Sequence, residues 1–172
     1  MVMKLTSRDI DYIVGSLIDD KIVKCFEYVV SKITSIIFDV RMSNLPGEGS
    51  RLLESVLLRF DWIEDAIHLD MSRLSDVQGV GLYYNEVKKS FDVVKGKFYV
   101  LTDALSAIIE KARRDVNLRV SMSIFGWYAI NGTRDVGPEV EYVVVKYGEF
   151  ISSLIEFTES LSMLCDKLLE MS

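Results

Sequence analysis

Asp61, Glu64, Asp65 and His68 are the residues of this chain whose types and spacing could do chemistry. Separations of three, four and seven place them on adjoining turns of one helix, with Glu64 at the edge of its apolar face. Three carboxylates and an imidazole in that position could ligate a divalent ion or relay a proton inside a helical bundle. The carboxylate-bridged di-metal bundles take two Glu-x-x-His pairs from two helices. This chain has a single histidine, and three residues before it stands Asp65. No other helix offers an obvious inward pair of glutamates. The group therefore reads first as an acidic, solvated flank, and a metal-dependent bundle enzyme ranks third among the functions.

The remaining chemical motifs are negative or bland. Cys25 and Cys165 lack metal-ligand spacing, and with one histidine the ligand count excludes a structural zinc site. No phosphate-binding glycine loop, Gly-x-Ser-x-Gly elbow or Cys/His nucleophile pairing occurs. Asn131-Gly132-Thr133 matches a glycosylation sequon but reads as a turn. No catalytic residue, cofactor or metal is expected.

A basic set comes next. Lys88, Lys89, Lys95 and Lys97 lie near Tyr83, Tyr84 and Tyr99, a nucleic-acid surface in outline. Arg113, Arg114, Arg119 and Arg134 could add a second basic patch. Against this, the net charge is −6, and lysines scattered between apolar seam positions are ordinary solvation. A nucleic-acid-associated accessory role ranks second.

The feature with most information is apolar and on the wrong side. Leu58, Trp62 and Leu69 lie about 140–180° from the main apolar face of their helix at 100° per residue. A helix apolar on two sides is either covered on both within its own fold or covered by another chain, and tryptophan is favoured as an interface anchor. A mean hydropathy of +0.22 points the same way. One cover within the chain would be the segment 116–131.

In the elements that carry these residues the dominant pattern is a rod. Val80, Tyr84, Val87, Phe91, Val94, Phe98, Leu101, Leu105, Ile108 and Ala112 recur in alternating steps of four and three, a heptad seam. Gly96 lies inside this rod away from the seam and predicts a close backbone approach. An earlier helix carries Leu53, Val56, Leu57, Phe60, Ile63, Ile67, Met71 and Leu74 on one face, beginning at Ser50 after the loop Ser43–Gly49. Gly79 and Gly81 punctuate the turn into the rod. The first helix is capped by Thr6 or Ser7. Its apolar stripe rotates by roughly a third of a turn near Gly15 and Asp19-Asp20, which predicts a kink or a break. The last helix opens at Gly137-Pro138, with a second heptad seam through Val140, Val144, Tyr147, Ile151, Leu154, Thr158, Leu161, Cys165 and Leu168. Between Val116 and Gly137 strand-like alternation competes with a helical pattern, and a short helix followed by a loop is preferred.

The expectation is one all-α domain over 172 residues, an elongated antiparallel bundle of four long helices near 7–42, 50–75, 80–115 and 138–171, the first kinked or split, plus one short helix or irregular cap. Met1–Asp9 holds no signal-like apolar core, and no apolar run reaches the roughly 18 residues of a membrane span. A cytoplasmic protein is expected, and one Gln and four Asn lean toward a thermophilic source. The first-ranked function is non-enzymatic: contacts with itself or another protein, as a homo-oligomer or a small subunit of an assembly, with no membrane partner.

Overall fold

The computed structural model describes residues 6–19, 22–42, 47–75, 77–114 and 138–171. These form an all-α helical bundle, with no strand among the described residues. In chain order the elements are α1 (Ser7–Val14), a π-helical turn (Gly15–Asp19), α2 (Ile22–Met42), α3 (Gly47–Leu74), α4 (Gly81–Arg114) and α5 (Pro138–Glu170). The alternating segment 116–124 and its competing short helix lie outside the described residues.

Helix α1 starts on a reciprocal cap. The Thr6 hydroxyl accepts from the Asp9 amide (3.2 Å), and the Asp9 carboxylate accepts from the Thr6 amide (3.1 Å). The Thr6 hydroxyl also donates to the Asp9 carboxylate at 2.8 Å, and this bond, together with that from the Thr6 amide, holds the Asp9 carboxyl below its ordinary pKa. The rotation of the apolar stripe is resolved by the π-helical turn. Hydrogen bonding from i to i+5 accommodates one extra residue, which sets the following positions back by about 100°. Leu17 and Ile22, five positions apart, are both fully buried.

The seam of α4 is observed as read up to Ile108: Val80, Val87, Phe91, Val94, Phe98, Leu101, Leu105 and Ile108 are buried and Tyr84 is half-buried, while the side chain of Ala112 lies outside the described residues. The face of α3 is observed too, from Leu53 to Leu74, with Leu57 half-buried. Its start is earlier than Ser50, so Gly47 and Gly49 stand in the first turn. Between α3 and α4 the chain reverses through Gly79, whose φ of 94° suits a residue without a Cβ.

Two details differ from expectation. Gly96 is exposed, and a Cβ built on it meets no atom of the described residues within 4 Å, so among these no close backbone approach occurs there. In α5 the buried line runs through Val140, Val143, Phe150, Phe157, Leu161, Leu164 and Leu168, while Val144, Ile151 and Leu154 are half-buried and Thr158 is exposed. The helix is apolar on two adjacent faces, and steps of three and four fit either. Phe150 and Phe157, the two largest apolar side chains and seven positions apart, take the core line. Ile151 and Thr158, about 100° further round, fall to its side.

The chain divides into two compact units, each containing part of every long helix. Unit 1 comprises residues 1–28, 59–96 and 151–172. Its centre is a closed cycle of phenylalanines, one each from α2, α3, α4 and α5. Phe26 meets Phe60 (6.4 Å between centroids), Phe60 meets Phe91 (6.1 Å), Phe91 meets Phe157 (5.5 Å) and Phe157 meets Phe26 (5.8 Å). The pairs Tyr12–Arg73, Ser16–Asp70 and Phe26–Phe60 run in opposite senses along the chain, so the first helical segments lie antiparallel to α3. Glu64–Lys95 and His68–Phe91 set α3 antiparallel to α4. Cys25 and Cys165 are buried, and no disulfide joins them.

Unit 2 comprises residues 29–58 and 97–150. Phe98 meets Phe150 edge-on at 5.8 Å, and the buried aliphatics among the described residues of this unit include Val29, Ile33, Ile36, Leu53, Leu101, Leu105 and Val143. Thr34 and Tyr147 share a hydrogen bond of 3.0 Å.

Candidate functional site

Helix α3 presents two different surfaces to be accounted for. Toward α4, Glu64 Oε1 accepts from Lys95 Nζ at 2.7 Å, and its side chain is only 20% exposed. His68 Nε2 stands 3.7 Å from the same oxygen, and the imidazole lies edge-on to Phe91. Asp61 and Asp65 point outward and are exposed. The four residues singled out for chemistry are therefore divided: Glu64 is committed to a lysine, and its neighbours face solvent. Among the described residues no group of three or more His, Cys, Asp or Glu is placed to hold a metal ion.

The four lysines of the basic set are divided as well. Lys95 is paired with Glu64, and Lys97 lies 3.7 Å from Glu149, which also accepts from Lys146 at 3.2 Å. Lys88 is held 5.4 Å above the Tyr84 ring, and Lys89 is exposed. Arg119 and Arg134 lie outside the described residues, as do the side chains of Arg113 and Arg114.

On the outward side of α3 the apolar residues stand as a ridge. Leu58 is 71% exposed, Trp62 42% and Leu69 58%. At 100° per residue they fall within about 40° of one line. The segment 116–131, named above as a possible cover, lies outside the described residues.

Alongside this ridge runs a row of carboxylates. Glu54, Asp61 and Asp65 are all exposed and lie about 60–100° from the Trp62 direction, on the same flank. None of the three makes an ion pair or side-chain hydrogen bond among the described residues. Two of the neighbouring cations have other partners. The Arg59 guanidinium sits 4.5 Å over the Tyr28 ring and 3.9 Å from Cys25 Sγ, and that of Arg73 sits 5.2 Å over Tyr12.

One polar group escaped the sequence reading. Asp70 is 3% exposed, and its Oδ2 accepts from Ser16 Oγ, in the π-helical turn, at 2.7 Å. Burial pushes its carboxyl above the ordinary pKa, opposed by the Ser16 hydrogen bond and the nearby Arg73 charge. The signal was present: Asp70 follows Ile63 by seven and Ile67 by three, on the buried stripe of α3. Its partner could not be read, because Ser16 reaches it only through the π-helical turn. Serine and carboxylate here have no imidazole to complete a nucleophilic arrangement, since the single histidine is turned to Phe91.

Compared with protein-family models, curated proteins and solved structures, the chain gives no match.

Proposed function

We propose that the protein is a non-enzymatic helical bundle that works through protein–protein contacts, made by the outward ridge of α3. The observation that carries this reading is the exposure of Leu58, Trp62 and Leu69 on one line of a helix whose opposite face already fills the core. Exposed apolar side chains scattered singly are ordinary, but a ridge of three with a tryptophan at its middle is typical of a contact surface. The polar groups support it by contrast. The carboxylate–histidine set is divided by Lys95, and two of the four candidate nucleic-acid lysines are paired with glutamates. Membrane insertion has no support among the described residues, where no helix is long and apolar enough to cross a bilayer.

The experiment is a triple substitution, Leu58→Lys, Trp62→Lys and Leu69→Lys, compared with Phe60→Ala on the opposite face. If the ridge is a free contact surface, the triple variant keeps its melting temperature and loses association, read by light scattering over a dilution series and by native mass spectrometry of co-purifying proteins. Phe60→Ala should cost about 3–5 kcal/mol of stability. A triple variant as unstable as Phe60→Ala would mean that the ridge is covered from within, and the proposal would fall.

A further inference from the structure

We infer that the outward face of α4 pairs with the same face of a second copy of this chain, antiparallel and centred on Gly96. This surface is separate from the ridge of α3, and the inference does not rest on the contact-surface reading above. At 100° per residue Gly96 lies about 160–180° from the buried Val87, Val94, Phe98 and Leu105, so it marks the middle of the outward face. Lys89, Val93, Val100 and Asp103 fall within about 60° of it. All four are exposed, the valines at 44% and 42%. One uninterrupted helix carries them, so their spacing is fixed by the backbone.

The order of these residues selects the occupant. Lys89 stands seven positions before Gly96 and Asp103 seven after it. They are about 21 Å apart along the helix, too far to meet within one chain. Neither makes an ion pair or side-chain hydrogen bond among the described residues. A two-fold axis at Gly96 brings Lys89 of each copy across from the partner's Asp103, so the pair forms twice. The same axis sets Val93 against the partner's Val100, and both valine contacts fall on one flank. Gly96 places no side chain at the crossing, and on its open side a Cβ meets no atom of the described residues within 4 Å. Helix axes about 8–10 Å apart leave room there for glycine or alanine.

The neighbouring charges fit the same arrangement. Lys88 and Asp92 are exposed on the flank away from the valines, with Lys88 over Tyr84 of its own helix. Asp92, three residues from Lys89, comes near the partner's Asp103 and shares that lysine with it. Each end of the pair then holds Lys88, Lys89, Asp92 and the partner's Asp103, two charges of each sign. A parallel second copy would set Lys89 against Lys89 and Asp103 against Asp103, and facing like charges select against that orientation. A single helix pair is a small contact, and the net charge of −6 opposes association of copies. The dimer is therefore weak, with a Kd between about 1 μM and 1 mM.

The test is sedimentation equilibrium of the full chain up to about 1 mM, where the wild type should dimerise. Lys89→Asp and Asp103→Lys should each weaken the dimer by about threefold to thirtyfold, since by symmetry each removes two exposed ion pairs. The double exchange, Lys89→Asp with Asp103→Lys, should restore the wild-type affinity. The two positions cannot meet within one chain, so only pairing between copies gives that rescue. Gly96→Arg sets a long cation against its own image and should weaken the dimer by about tenfold or more, without lowering the melting temperature of dilute protein. A wild type that stays monomeric at 1 mM would overturn the inference, as would a double exchange that restores nothing. Single exchanges acting in opposite directions would overturn it too: they shift the net charge by two in opposite senses, and such a result would report net charge alone. The triple lysine variant of α3 should keep this dimer. If that variant dissolves it and the α4 exchanges do not, the second copy sits on the ridge, so this inference falls while the contact-surface reading stands. If the α4 exchanges act as expected and the triple variant loses no partner, the reverse holds.

Discussion

The two compact units fill their interiors with different side chains. Unit 1 closes a cycle of four phenylalanines, each touching two others. Among the described residues, unit 2 joins Phe98 and Phe150 edge-on across two helices and buries branched aliphatics such as Ile33, Ile36 and Val143. An aromatic pair contributes roughly 0.5–1.5 kcal/mol beyond its buried area and has preferred orientations. Aliphatic packing is spread over many smaller contacts with no angular demand. Among the described residues, unit 1 thus rests on a few large, mutually oriented groups, and unit 2 on many interchangeable ones. The largest expected effect follows from this. Phe91→Ala, which breaks two contacts of the cycle, should cost about 3–5 kcal/mol in urea unfolding, and Phe98→Ala should lie at the lower end of that range. Combining Phe60→Ala with Phe91→Ala should depart from additivity by at least about 0.5 kcal/mol, since the rings touch. A more costly Phe98→Ala, together with strict additivity of Phe60 and Phe91, would erase the distinction.

The same contrast holds for polar groups. The buried carboxylate of Asp70 in unit 1 depends on one serine, whereas Thr34, Tyr147, Lys97, Lys146 and Glu149 of unit 2 meet at partly or fully exposed positions. Ser16→Ala should cost about 1–3 kcal/mol, because it removes the only hydrogen bond to Asp70 found among the described residues. The pH dependences of the two units should have opposite signs. Burial raises the folded pKa of Asp70, so its favourable contribution is full below the ordinary carboxylate range and is lost as pH rises through the raised value. Hydrogen bonding from Lys146, with the charges of Lys146 and Lys97, lowers that of Glu149. Its contribution is present above the ordinary range and is lost as pH falls through the lowered value. Melting curves against pH should therefore gain on the neutral side in Asp70→Asn and flatten on the acid side in Glu149→Gln. Curves for both variants parallel to the wild type would remove the polar half of the comparison.

How much of this was legible in the sequence depends on what each element had to decide. In α4 a single apolar line ran between charged residues, so the heptad arithmetic had one solution and Val80 to Ile108 are seen where the spacing put them. In α5 two neighbouring lines were both apolar, and arithmetic could not choose between Phe157 and Thr158 as core positions. Ring volume chose, and it acts through neighbours that a single helix does not show. The rotation near Gly15 was visible as a mismatch of stripes, while its resolution as a π-helical turn depended on Leu17 and Ile22 both finding the core. The outward ridge at Leu58, Trp62 and Leu69 was legible because it contradicted the main face of its own helix. Asp61 and Asp65 beside it read, with Glu64 and His68, as candidates for metal chemistry. Their separation from Glu64 is visible only with Lys95 in place.

The smallest expected effect concerns two glycines, and it tests both units from outside. Gly96 is the last residue of the unit 1 stretch of α4, and Gly148 lies in the unit 2 stretch of α5. Both are helical and exposed, and a Cβ at either meets no atom of the described residues within 4 Å. A glycine inside a helix costs about 0.8–1.0 kcal/mol relative to alanine, from backbone freedom lost on folding. Nothing among the described residues of either unit requires that cost, since neither glycine has a positive φ or a close neighbour there. Gly96→Ala and Gly148→Ala should therefore each raise stability by about 1 kcal/mol, and the double variant by about the sum. A gain at one and a loss at the other would show that the losing face is in contact with something its added methyl obstructs. Because an obstructing partner binds only the folded state, that loss would grow with protein concentration if the partner were a second copy. Equal gains, independent of concentration, would leave the outward ridge of α3 as the surface to pursue.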